Sequence, residues 1–125
     1  MKYLSSSLLL LVLIFSACNS KTDVNYCTEI DPVDKEMLDL YNQILEERKA
    51  DNKFLKDFKM LHVNWVQYRN SLARTIWYKE PEEYQGDYRN CKCELLMEMT
   101  RARIAELEMW TKGNPKWKEC EGSVN

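Results

Sequence analysis

Cysteine and histidine are the residue types with the narrowest chemistry, and this chain has five of the first and one of the second. The lone histidine, His62, lies one residue past Leu61 and three before Trp65 in a stretch of helical periodicity. That is the place of a helix-surface or flank residue. Any Ser-His-Asp or Cys-His constellation would have to use it, and such sites are recognised by geometry that no spacing supplies. No glycine-rich phosphate loop and no His-Glu-x-x-His pair occurs. The expectation is a protein that is not an enzyme and needs no cofactor. Cys91-Lys92-Cys93, with Met97 and Met99 nearby, has the soft donors that select Cu(I). Cysteines paired by oxidation cannot ligate, and methionine at helical spacing is usually core filler, so no metal is expected.

The first cysteine, Cys18, has a different context. Lys2 precedes an apolar run from Leu4 to Phe15, followed by the small residues Ser16 and Ala17. This pattern is a secretory signal, too short for a spanning helix and followed at once by polar residues. Phe15-Ser16-Ala17-Cys18 resembles the bacterial lipobox, with Phe15 where leucine is preferred. The resemblance implies cleavage after Ala17 and acylation of Cys18. Two or three acyl chains hold a protein on a membrane without help from its fold. The expected organisation is a signal peptide over 1–17, a lipidated cysteine and polar tether over 18–31, and a helical domain over 32–125. The expected location is the bacterial cell envelope, at the outer membrane or facing the periplasm.

In an oxidising envelope the remaining cysteines, Cys27, Cys91, Cys93 and Cys120, are expected to form two disulfides. A Cys91–Cys93 ring would be strained. This leaves Cys27 joined to one of that pair and Cys120 to the other, stapling both tails to the start of one helix. The chain is mildly acidic, with formal charge −2 and no basic block, which argues against a nucleic-acid partner.

Three helices position these groups. Asp31-Pro32 has the form of an N-cap and first helical residue, predicting a helix over 32–49 with Met37, Tyr41, Ile44 and Leu45 on one face. After the turn Ala50-Asp51-Asn52, a long helix is expected over 52–78. Its Phe54, Phe58, Leu61, Trp65, Tyr68 and Leu72 follow the 4-3-4-3-4 spacing of a packed seam. A third helix is expected over 91–112, stopped by Gly113, with Leu95, Leu96, Met99, Ala102, Leu107, Met109 and Trp110 on one side. The fold class is all-α: a small three-helix antiparallel stack with a long central helix and disulfide-stapled tails. Arg103 falls near an apolar stripe, where a carboxylate from another helix would pair with it.

Between the second and third helices lies an acidic loop with Glu80, Glu82, Glu83, Tyr84 and Asp87, broken by Pro81 and Gly86. Tyrosines supply rigid contact area and the acids suit a basic protein surface.

Three pieces of the chain resemble the lysozyme-inhibitor LprI-type domain of bacterial envelope proteins. They are Asp34-x-x-x-Leu38-Asp39-x-Tyr41, then Leu61-x-x-x-Trp65-Val66-Gln67-Tyr68-Arg69-Asn70, then Thr100-x-x-Arg103-x-x-x-Leu107. Asn70 stands where the family has aspartate. Ser71-Leu72-Ala73-Arg74 occupies a stretch where the family often has a cysteine, so its bridge must be rearranged here. The resemblance implies a helical envelope module, in some members an inhibitor of lysozyme, with Trp65, Tyr68, Arg69 and Arg103 as signature residues for the fold. The resulting expectation is a lipid-anchored protein that binds a protein partner, lysozyme first, through residues 80, 82, 83, 84 and 87. The alternative is an envelope assembly lipoprotein docking through a helix face, which exposure of Met97, Ile104 or Trp77 would favour.

Overall fold

The computed structural model describes residues 24–120. Three helices, α1 (Tyr26–Glu47), α2 (Asn52–Ile76) and α3 (Tyr88–Lys112), carry the fold, with short 3₁₀ turns at Pro81–Glu83 and Pro115–Trp117. Among the described residues there is no strand.

The first helix begins at Tyr26, so residues 26–31, expected in the tether, are helical and Pro32 lies inside the helix. An interior proline forfeits one backbone bond and crowds the preceding turn. The extra turns persist because their start is held from outside. Asn25 caps them by accepting from Cys27 N. The side chain of buried Asn90, on α3, accepts from Tyr26 N at 2.7 Å and donates to the Val24 carbonyl at 3.1 Å. Cys27 is bridged to Cys93.

Those contacts also fix the register. Val24–Asn90, Cys27–Cys93 and Asp34–Thr100 are each separated by 66 positions. A constant offset means that α1 and α3 run parallel and in step. Both carry a 3-4 seam: Ile30, Val33, Met37, Leu40 and Ile44 on α1, and Asn90, Cys93, Met97, Thr100, Ile104 and Leu107 on α3. Met37, Ile44, Met97, Ile104 and Leu107 are buried there. The α1–α3 contact is the most extensive in the bundle.

The central helix runs antiparallel to both, touching the end of α3 through Phe54 and the start of α1 through Arg69. It is packed on the pair through rings. Tyr41 stacks on Phe58 at 5.4 Å and on His62 at 4.1 Å, and Trp110 meets Phe54 and Phe58 edge-on. These rings stand between its backbone and the tighter pair. The inward face of α2 is Phe54, Phe58, His62, Trp65, Arg69 and Ala73. Leu61 and Tyr68, expected on the seam, are exposed. The expected stripe on α3 is likewise turned: Ala102 is exposed, and Thr100, Arg103 and Ile104 are buried.

The Cys27–Cys93 bridge is one of the two pairings the cysteine spacing allowed; the bridge expected at Cys120 is not formed, because Cys120 is an exposed free thiol. The reason is geometric. Cys91 lies at the start of α3 and the tail leaves from its end, about 32 Å away at 1.5 Å per residue. The residues from Lys112 to Cys120 would have to run almost fully extended along the helix. The 3₁₀ turn at Pro115–Trp117 shortens them instead.

Candidate functional site

Two polar constellations stand out, one inside the bundle and one at its end. In the interior, Arg69 Nη1 donates to Asp34 Oδ1 at 2.8 Å and to Thr100 Oγ1 at 2.7 Å, joining all three helices through one guanidinium. The Thr100 hydroxyl lies 2.9 Å from both Asp34 Oδ1 and the Leu96 carbonyl. The guanidinium carbons of Arg69 and Arg103 lie 5.1 and 5.7 Å from the Trp65 ring centroid, within cation–π range.

Arg103 is 1% exposed, and its ion pair is with Glu106 on its own helix, not across helices as its place near the stripe suggested. The cross-helix pair belongs to Arg69 and Asp34. Trp65, Arg69 and Arg103 therefore come together as a structural core. Tyr68, from the same signature, stays outside on the surface.

His62 belongs to this interior as well. It is half-buried, stacked between Tyr41 and Trp65, so of the two places expected for it, surface or flank, it takes the flank. Burial and the neighbouring Arg103 and Arg69 charges all hold its pKa below the usual value. Tyr41 from α1, Arg103 from α3 and Arg69 and Trp65 from α2 surround it, with no carboxylate bonded to the ring. Well above a pH of about 6.5 the imidazole is neutral in both folded and unfolded chains and contributes no pH dependence. Below that value the unfolded chain binds the proton first, so stability falls with acidification until the folded pKa is passed. Urea midpoints are expected to drop from pH 7.5 to pH 5.5, and His62→Phe should flatten that slope. An unchanged slope in the variant would assign the dependence to other groups.

At the bundle end, the acidic loop is built rather than slack. Glu80 and Glu83 form a reciprocal capping box around the 3₁₀ turn, with Glu80 N donating to Glu83 Oε2 at 2.9 Å. Lys79 N donates to the Tyr84 hydroxyl, and Tyr84 stacks on Tyr88 at 4.7 Å. Gly86 takes φ +73°, a left-handed conformation that favours glycine. Asp87 caps α3 by accepting from Asn90 N. Glu80, Glu82, Glu83 and Asp87 are all exposed, and Tyr84 is half-buried. Pro81, Glu82, Gly86, Asp87, Tyr88 and Arg89 line a shallow open groove. The loop shares its end of the bundle with the Cys27–Cys93 bridge and the entry of the chain into α1.

The remaining expected positions are placed as follows. Met97 and Ile104 are buried and Trp77 is half-buried, so those residues do not form an exposed docking patch. Cys93 is oxidised and Met97 is core, which removes both from any soft-metal set. Cys18 lies outside the described residues. The interior role of Asn90 was missed; only its three-residue spacing from Cys93 signalled it.

A family model described as Lysozyme inhibitor LprI matches residues 16–107. No curated protein and no solved structure matches the chain.

Proposed function

The chain belongs to the lysozyme inhibitor LprI family, and on that premise we propose that it is an exported, lipid-anchored protein that binds and blocks a lysozyme. The family match carries this reading. Residues 1–17 act as the signal peptide, Cys18 receives the lipid, and the helical domain works outside the cytoplasm as a binding protein without catalysis of its own.

The acidic loop is the contact surface in this reading. Its charges suit an enzyme that is commonly strongly basic, and complementary charge speeds encounter and sets orientation. An ordered loop loses less entropy on docking than a slack one. The capping box, the Tyr84–Tyr88 stack and the Asp87 cap supply that order.

The test is to neutralise the loop without dismantling it. Glu80→Gln, Glu82→Gln, Glu83→Gln and Asp87→Asn keep oxygen acceptors at the capping positions, since asparagine caps a helix as aspartate does. The combined variant should keep its thermal stability, bind lysozyme about tenfold more weakly and lose most of its salt dependence. Full inhibition by the variant would remove the loop from the mechanism.

A further inference from the structure

The charges of the bundle are sorted by helix. On α1, Glu29, Asp31, Glu36, Asp39, Glu46 and Glu47 are exposed, against the one exposed base Lys35. On α2 the exposed charges are Lys53, Lys56, Lys59 and Arg74, with Asp57 the one acid in the helix. Lys35, Lys49 and Lys112 each pair with a carboxylate, whereas Lys53, Lys56 and Lys59 have none among the described residues. At 100° per residue, Lys53, Lys56, Lys59, Met60, Val63 and Arg74 fall in an arc of about 120° on the side away from Phe58. Met60 is 57% exposed and Val63 is 49% exposed within it. A helix face of uncompensated lysines around exposed apolar side chains has the composition of a helix lying on an anionic lipid surface.

From this face we propose that the outer side of α2 rests on anionic phospholipid headgroups and turns the acidic side of α1 away from the bilayer. The proposal rests on the reading of Cys18 as the lipid anchor. Five residues lie between Cys18 and Val24, and the six Cα steps from one to the other can span at most about 21 Å. That is less than the length of α1, about 33 Å for its 22 residues. A bundle tied so closely stays beside the headgroups, and its charges decide which side it turns to them. Anionic lipid repels the acids of α1 and attracts the lysines of α2, while Met60 and Val63 enter the interface. A second copy of the chain could instead set its acidic α1 against this face, and the same experiment separates the two.

The chain is expressed with its signal segment in a bacterium, purified in its mature form and inserted into phosphatidylcholine vesicles with or without phosphatidylglycerol, and its lysines are labelled with an amine-acylating reagent. Labelling of Lys53, Lys56 and Lys59 should slow about fivefold relative to Lys35 and Lys112 on the anionic vesicles only, and recover at high salt. Lys53→Glu and Lys56→Glu together should abolish the slowing at Lys59 while the chain still floats with the vesicles. Equal labelling on both vesicle types, with the chain floating, would overturn the docking and leave the anchor standing. Slowing that follows protein density on neutral vesicles would assign the face to a second copy and overturn the lipid proposal. A chain that fails to float would overturn the anchor and this proposal with it.

Discussion

Replacing Cys27 and Cys93 together by serine is expected to cost about 4 kcal/mol of stability. The bridge closes a segment of 66 positions, and the entropy it removes from the unfolded chain grows with the logarithm of that length. A domain of this size has about 5–15 kcal/mol in hand, so the loss is a large fraction of the whole. The damage has a location as well. The bridge and the Asn90 hydrogen bonds hold the first turns of α1, upstream of a proline that interrupts the backbone ladder. The variant should therefore lose helix before Pro32 first, visible as amide exchange in residues 26–31 under conditions where Ile44 and Leu107 stay protected. Both cysteines are replaced so that neither is left as a lone thiol. Urea melts of the oxidised protein and the double variant measure the difference; a loss below about 1 kcal/mol would mean that the helix pair holds its register without the bridge.

Arg69→Leu is the second large effect, expected at about 3 kcal/mol. Removing one partner of a buried ion pair costs roughly 3–5 kcal/mol because the other charge is left behind. Here the figure is discounted, since the Asp34 side chain is 32% exposed and water reaches it. Leucine also leaves the Thr100 hydroxyl without its donor and takes the guanidinium from the face of Trp65. Arg69→Lys restores the charge but not the planar group that reaches two acceptors from one nitrogen while lying against a ring, so it should recover only part of the loss. A double-mutant cycle with Asp34→Asn isolates the pair, with an expected coupling of about 1–2 kcal/mol. A coupling near zero would show that Arg69 acts through packing on Trp65 alone.

The helix count, the breakers at Gly113 and Pro81, and the turn after α1 follow from local chemistry, and that much was legible in the residues. The faces were less so. A seam through Leu61 and Tyr68 is what hydrophobicity suggests for α2, yet both are exposed, and His62, Arg69 and Ala73 point inward. Polar residues look outward-facing until partners such as Asp34, Thr100 and the Tyr41 ring are supplied by other helices. Pro32 resembles a helix start for the same reason: the groups that carry the helix upstream of it, Asn90 and Cys93, are more than sixty positions away. Cys120 was misjudged because an even cysteine count says nothing of which end of a helix a tail leaves from. The loop acids are visible as a cluster, but only the folded turn divides them into the capping groups Glu80, Glu83 and Asp87 and Glu82, which caps nothing.

The most direct test of a lysozyme-blocking role is inhibition of purified chicken-type and invertebrate-type lysozymes by the oxidised mature chain, followed across a salt series. The account predicts inhibition at submicromolar concentration that weakens as salt is raised. Undiminished lysis by both enzymes at a large molar excess of the chain would contradict it, and the bundle and its family membership would then stand without the proposed activity.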